Sequence, residues 1–114
     1  MTWMRIRLDQ VDHEDAEPLV ITAPLDSEKR ISLSIPFAGW WGKLKGNAWI
    51  RPVVFKPDGT VEFGGDPEDN ENERLGYMQV FGVPFAIGAS FYMEDREDGE
   101  VSHFVVREIT PLQG

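Results

Sequence analysis

The densest group of possible metal ligands in the chain is an acidic run between residues 66 and 73. Its carboxylates belong to Asp66, Glu68, Asp69, Glu71 and Glu73. Carboxylate and amide oxygens are the ligands that Ca²⁺ takes in proteins. A calcium loop beginning at Asp66 would need glycine at its sixth position and glutamate at its twelfth, where this chain has Glu71 and Tyr77. The run therefore predicts a solvated, mobile acidic loop over about residues 64–74 rather than a metal site.

The two histidines also lack a metal-binding pattern. His13 stands among acids in the segment 12–15, and His103 is far along the chain, without the ligand spacing of a zinc or other transition-metal site. In the alternation of its segment, His103 shares a face with Val101 and Val105, which favours a ring satisfied by its neighbours. The sequence predicts no metal and no other cofactor.

Motifs for catalysis are missing from the sequence. The chain has no cysteine and no G-x-S-x-G nucleophile elbow, and its glycines at 39, 42 and 46 do not match a phosphate-binding loop. Paired carboxylates could hydrolyse glycosides, but with 20 acids in the chain such pairs arise by accident. We therefore predict a protein that is not an enzyme.

The adjacent pair Trp40–Trp41 is the most distinctive local feature. The pair is flanked by glycines and followed by Lys43 and Lys45, so residues 37–47 are interpreted as a Gly-rich, basic and aromatic loop. Neighbouring residues of an extended chain point to opposite sides, so we expect one indole in the core and the other partly exposed. Two interpretations stay open: an interface anchor for a partner, and a plug that fills the end of the fold.

The elements that position these residues are strands. Eleven Gly and eight Pro interrupt the chain too often for long helices, and apolar residues recur with a period of two. The pattern predicts strands over 2–9, 18–22, 30–36, 47–56, 60–63, 75–81, 85–94 and 101–109, with a tight turn at Pro57–Gly59. This indicates one all-β domain over residues 1–114, either a sandwich or a partly open small barrel of about eight short antiparallel strands.

Charge is distributed unevenly along the chain. Residues 1–57 carry eight Lys/Arg and seven Asp/Glu, whereas residues 58–114 carry three Lys/Arg and thirteen Asp/Glu. Most of those thirteen fall in the segments Asp66–Glu73 and Glu94–Glu100. Such a concentration indicates either a solubility device or a surface for a basic partner. The candidate partner-binding residues are Trp40, Trp41, Asp66, Glu68, Asp69, Glu71, Glu73, Glu94, Asp95, Glu97 and Asp98.

The same charge argues against some partners. A net charge of −9 repels a phosphate backbone and an anionic membrane surface, so we expect neither nucleic acid nor membrane as a direct partner.

Trp3, Arg5 and Arg7 share one face of the first predicted strand, and Arg107 joins them if the terminal strands pair. An aromatic and arginine-rich face can stack nucleic-acid bases, but in this acidic chain we favour internal pairing of these arginines with carboxylates. No apolar run is long enough to span a membrane, and the N-terminus lacks a signal-peptide core. Together with the missing cysteines, these features favour a cytoplasmic protein.

Three functions are consistent with these observations. The first is a small, non-catalytic acidic protein that docks a basic protein partner. In its finer form it is a phage-type, anti-defence inhibitor that imitates nucleic acid in the groove of a host protein. The second is a β-barrel that binds a small molecule in a mouth lined by Trp40, Trp41, Phe85 and Tyr92. The third is a virion or assembly subunit that pairs through exposed strand edges. Homo-oligomerisation stays open in all three.

Overall fold

Eight antiparallel strands hydrogen-bond in chain order and close into a barrel. The computed structural model describes residues 2–12, 18–32, 34–43, 49–63, 74–96 and 99–112, and within these it does not describe the side chains at 43, 49–51, 63 and 74. The strands are β1 (Thr2–Gln10), β2 (Pro18–Leu25), β3 (Phe37–Lys43), β4 (Trp49–Phe55), β5 (Thr60–Phe63), β6 (Arg74–Met78), β7 (Ser90–Asp95) and β8 (Val101–Pro111). The predicted all-β domain of eight short antiparallel strands is confirmed.

Pairing of the first and last strands decides between the two predicted architectures. β1 lies antiparallel to β8, from Met4 opposite Pro111 to Gln10 opposite Phe104, with a bulge where the register shifts between Arg7 and Leu8. A bulge bends and twists its strand, which helps a sheet to curve onto itself. The result is a barrel rather than a sandwich, and it is closed rather than partly open.

The interior of the barrel is filled by side chains. Alternate residues of every strand point inward, as the period-two pattern predicts. Residues with 0% exposure come from six of the eight strands: Ile6, Leu8, Leu19, Ile21, Ala23, Val53, Phe55, Val61, Met78, Phe104 and Val106. An eight-stranded barrel has an interior about wide enough for side chains alone, so these residues form a packed core.

The third strand lies where the sequence predicted a loop. β3 occupies residues 37–43, whereas the predicted strand at 30–36 contributes only an isolated bridge from Ile31 to Phe81. Gly39 explains the difference. A Cβ atom at this position would overlap the carbonyl oxygen of Val20, so the absence of a side chain lets β3 pair closely with β2.

The predicted strand at 85–94 is also shorter in the structure. The chain turns at Ala86, whose carbonyl accepts the N–H of Ala89 at 2.9 Å, and β7 begins only at Ser90. The apolar alternation misleads here because Phe85 is buried while Ile87, two residues on, is 64% exposed.

The β4–β5 hairpin forms at the predicted Pro57–Gly59 turn. Asp58 Oδ1 accepts the N–H of Thr60 at 2.8 Å, and the Gly59 N–H donates to the carbonyl of Lys56 at 2.9 Å. Gly59 has a φ of +93°, a conformation that side chains disfavour, and a Cβ there would overlap the ring of Tyr77. Glycine at this position therefore allows both the turn and the close packing of the Tyr77 ring against it.

Two long connections close one end of the barrel. Residues 26–36 join β2 to β3 and residues 79–89 join β6 to β7. They are linked by main-chain bonds from Phe85 to Lys29 (2.8 Å) and from Gly82 to Ile31 (3.2 Å). Phe37 stacks on Phe55 with ring centroids 5.0 Å apart, and lies 5.2 Å from Phe81. We call this end, which also holds the β4–β5 turn, the turn end.

Candidate functional site

Four connections leave the barrel at the opposite end. Because the strands are antiparallel and follow one another in chain order, alternate connections lie at the same end. The segments 11–17, 44–48, 64–73 and 96–100 therefore all join strand ends opposite the turn end. We call this end of the barrel, with these four connections, the acidic end.

The two ends differ strongly in charge. Twelve of the 20 acids of the chain belong to the connections of the acidic end: Asp12, Glu14, Asp15, Glu17, Asp66, Glu68, Asp69, Glu71, Glu73, Glu97, Asp98 and Glu100. The same connections hold two cations, Lys45 and Arg96, so their net charge is −10. The connections of the turn end hold three acids, Asp26, Glu28 and Asp58, and three cations, Lys29, Arg30 and Lys56. The connections that leave the two ends of the barrel thus differ strongly in net charge.

Only some of the predicted partner-binding residues are described by the structure. Asp66, Glu68, Asp69, Glu71, Glu73, Glu97 and Asp98 lie outside the described residues, as does the predicted acidic loop except for Arg74, which begins β6. Glu94 and Asp95 belong to β7 rather than to a loop. Glu94 is exposed on the outer wall, whereas the inward-facing Asp95 is half-buried, so only Glu94 is freely presented to a partner.

Trp40 and Trp41 point to opposite sides of β3, as predicted. Trp41 is half-buried and packs against the core, with its ring edge-on to Phe104 at 5.7 Å between centroids. Trp40 faces outward beside its strand partners Val20 and Pro52. Trp41 therefore acts as the plug, and Trp40 is the tryptophan left as a candidate anchor.

An aromatic groove on the outer wall was not predicted as a site. Tyr77 of β6 lies opposite Glu94 of β7, which lies opposite Val101 of β8. Tyr92, two residues from Glu94 on the same face, stacks on His103 with ring centroids 4.6 Å apart. The groove has a volume of about 390 Å³, and it is lined by Tyr77, Gln79, Val83, Ser90, Phe91, Tyr92, Glu94 and Val101. The alternation of β7 could have revealed it. Tyr92 and Glu94 alternate along the strand with the buried Phe91 and Met93, so both point to the outer face.

His103 is satisfied by its neighbours, as the sequence favours. Its ring Nε2 lies 2.9 Å from the Ser90 hydroxyl, and its main-chain N–H donates to Asp12 Oδ2 at 3.0 Å. Slight desolvation acts to raise the pKa of the exposed Asp12, but the bond from the His103 N–H and further hydrogen bonds hold it below its usual value. Since Asp12 accepts from the main chain of His103, these three residues do not form the Ser–His–acid relay of a hydrolase.

The arginines of the first strand pair internally in part. Arg7 Nε lies 3.1 Å from Asp9 Oδ1, and Arg107 Nε lies 3.9 Å from Asp9 Oδ2. Trp3 and Arg5 share this outer face of β1. These pairs confirm the internal pairing for Arg7 and Arg107. Among the residues that the structure describes, no group of three His, Asp or Glu side chains is placed to hold a metal ion.

The four residues proposed for a ligand-binding mouth do not meet. Phe85 stacks on Phe91 at 4.7 Å in the core, and Trp41 also faces inward. Trp40 and Tyr92 face outward on different strands. Phe85 belongs to the turn end and Trp41 to the other end of the interior, so no common mouth is formed.

The fold and the charges define a small closed β-barrel with a filled interior and one strongly acidic end. No protein-family model, no curated protein and no solved structure matches the chain. Within the described ranges, no helix is long and apolar enough to cross a membrane.

Proposed function

We propose that this protein is a small, non-catalytic binding protein whose acidic end docks a basic protein partner. The observation that carries the proposal is the difference between the two ends of the barrel. Four connections with a net charge of −10 leave one end, while the connections of the other end sum to zero. A one-signed surface of this kind attracts an oppositely charged protein and orients it during encounter.

The acidic end lowers the stability of the fold, and this cost favours a functional role for its charge. Like charges gathered at one end repel each other and reduce the stability of the folded protein. Solubility alone would be served as well by acids spread over the whole surface.

The described residues favour docking over the two alternative functions. A small-molecule barrel needs an open cavity, whereas the interior is filled by core side chains. Assembly through strand edges needs free edges, whereas each of the eight described strands has a neighbour on both sides. Docking through the acidic end needs neither feature.

The finer form of the proposal is that the carboxylates replace phosphates. In this form the protein is a phage-type inhibitor that occupies the groove of a host nucleic-acid-binding defence protein, in the cytoplasm. Closely spaced carboxylates can imitate the negative charge of a phosphate backbone, which is what such a groove recognises. Competition between this protein and DNA or RNA for the purified partner tests this form.

The docking proposal is tested by association kinetics. A partner captured from a lysate is identified by mass spectrometry, purified, and its association rate measured with wild type and with Asp66→Asn/Glu68→Gln/Asp69→Asn/Glu71→Gln. We expect slower association at low salt and a smaller difference near 1 M salt, where the Debye length is about 3 Å. Glu28→Gln/Glu108→Gln, which removes exposed charges away from the acidic end, is the control. Unchanged rates in the first variant, or equal losses per charge in both, would reject the proposal.

A further inference from the structure

We propose that the outer groove between β6, β7 and β8 binds the guanidinium group of an arginine side chain of the basic partner. This proposal rests on the proposed function and deepens it, because it names the chemical group that the partner inserts. The groove adjoins the acidic end, since Glu94 and Val101 lie at the ends of β7 and β8 that flank the connection 96–100. A partner docked at that end is therefore within reach of the groove.

The groove combines one carboxylate with exposed aromatic rings. Glu94 lies across from Tyr77 and two residues from Tyr92 on the same face, so its neighbours on two sides are tyrosines. Tyr92 is 56% exposed and Val101 54% exposed, so both side chains are accessible to a partner. Within the described part of the chain, Glu94 forms no ion pair. An apolar wall with a single unneutralised carboxylate suits a planar cation with an apolar stem.

The tyrosine rings are already arranged for cations. The guanidinium carbon of Arg96 lies 5.8 Å from the centroid of the Tyr77 ring, within the range of a cation–π contact. The Tyr77 hydroxyl donates to Gln79 Oε1 at 3.1 Å, and Gln79 Nε2 donates to the carbonyl of Phe81 at 2.9 Å, so the ring is held in place. Tyr92 stacks on His103 on one side, which fixes its orientation while more than half of the residue is exposed.

Arginine suits this groove better than lysine. A guanidinium is planar, stacks on aromatic faces and donates two parallel bonds to a carboxylate, whereas an ammonium is a strongly hydrated point charge. Tyr92 and Glu94 set an exposed ring and a carboxylate on one face of β7, and a guanidinium satisfies both at once. Its charge also complements the net charge of the neighbouring acidic end.

The test measures binding of a fluorescein-labelled octa-arginine peptide to the intact protein by anisotropy at low salt. Glu94→Gln removes the carboxylate at constant shape, and Tyr92→Leu removes the ring. We expect each to weaken binding about three- to fivefold, the size of an exposed ion pair or cation–π contact. Tyr92→Phe, which keeps the ring, should change binding less than about twofold. Two matched controls lie on the outer wall away from the groove: Glu108→Gln on β8 matches Glu94→Gln, and Trp3→Leu on β1 matches Tyr92→Leu. Each control should also change binding less than about twofold.

The outcomes separate this proposal from the docking function. Equal losses in Glu94→Gln and Glu108→Gln would mean that the peptide senses total charge only, which overturns the groove and leaves docking at the acidic end standing. No binding by wild type at low salt would overturn both. If sedimentation shows that Glu94→Gln abolishes self-association of the free protein, the groove holds a second copy and the arginine proposal is wrong. If Tyr92→Leu does not fold, the comparison of Glu94→Gln with Glu108→Gln still tests whether the groove binds arginine.

Discussion

The two ends of this barrel differ in what their connections contribute. At the turn end, residues 26–36 and 79–89 bring Ile31, Phe81 and Phe85 onto the core, and the charges of the connections cancel. At the acidic end, the connections hold twelve carboxylates and two cations. If the acidic end docks a partner, as we propose, stability and recognition are separated in this fold. Apolar packing at one end supplies free energy that offsets repulsion between like charges at the other.

Two carboxylates of the turn end have a clear structural role. At the turn end, Asp26 Oδ1 accepts the N–H groups of Glu28 (2.8 Å) and Arg30 (3.0 Å), and Asp58 accepts the N–H of Thr60. These acids shape turns. At the acidic end the number of acids is the dominant feature, so substitutions there should affect binding more than folding.

The largest effect on stability should come from the packing of the turn end. Phe85→Ala removes a ring that is 1% exposed and stacked on Phe91, which we expect to lower the free energy of unfolding by about 3–5 kcal/mol. Ile87→Ala is the control in the same connection, and its exposed side chain should cost less than about 0.5 kcal/mol. Urea denaturation followed by tryptophan fluorescence measures both. Similar costs would show that the connection is not packed as described.

The tryptophan pair should separate stability from binding. Trp41→Ala removes an inward ring packed on Phe104, and we expect a loss of about 3 kcal/mol. Trp40→Ala removes an outward ring, for which we expect a loss of about 1 kcal/mol in stability and, if Trp40 anchors the partner, about 2 kcal/mol in binding. Thermal melts and partner titrations check the two values. Equal, severe destabilisation by both would rule out Trp40 as an anchor.

Two glycines with positive φ allow the ends to be compared directly. Gly59→Ala at the turn end meets both an unfavourable φ and the Tyr77 ring, so we expect a loss of about 2 kcal/mol or more. Gly99→Ala at the acidic end has a φ of +73° but open space around the added Cβ, so strain alone should cost about 1 kcal/mol. Equal losses in chemical denaturation would mean that the ring of Tyr77 adjusts freely.

A smaller effect should appear in the dependence of stability on pH. Hydrogen bonds from the Arg30 N–H to Asp26 and from the Thr60 N–H to Asp58 hold the pKa of each carboxyl below its usual value. A lowered folded pKa stabilises the protein above the unfolded value of about 3.9, and this contribution is lost as pH falls through the folded pKa. We expect Asp26→Asn/Asp58→Asn to lose less stability than wild type between about pH 5 and pH 2. Identical losses in urea melts would contradict these pKa directions.

Much of the fold follows from alternation and turn residues. The alternation of β1 and the turn at Pro57–Gly59 were predicted from local pattern. β3 was missed because Gly39 resembles a loop residue in the sequence, while its role depends on the carbonyl of Val20, far away in the chain. Ile87 and Phe85 show the opposite error, since a regular alternation was interrupted by a turn that only tertiary contacts reveal.

The sequence predicted which residue types form the candidate site, but not how they are arranged. The sequence shows acids concentrated in residues 58–114, but only the strand order shows that the connection 11–17 leaves the same end of the barrel as 64–73 and 96–100. That grouping depends on strand order and closure, which alternation does not specify. The groove beside Glu94 depends on cross-strand register, which sets Tyr77 and Val101 on either side.

Zero-length cross-linking of the protein to its purified partner tests most directly whether the acidic end is the docking surface. A carbodiimide joins carboxylates to lysines of the bound partner, and mass spectrometry identifies the carboxylates that react. We expect links from the segments 11–17, 64–73 and 96–100, and few from Asp26, Glu28 or Asp58. Links concentrated at the turn end, or spread evenly over both ends, would contradict the account.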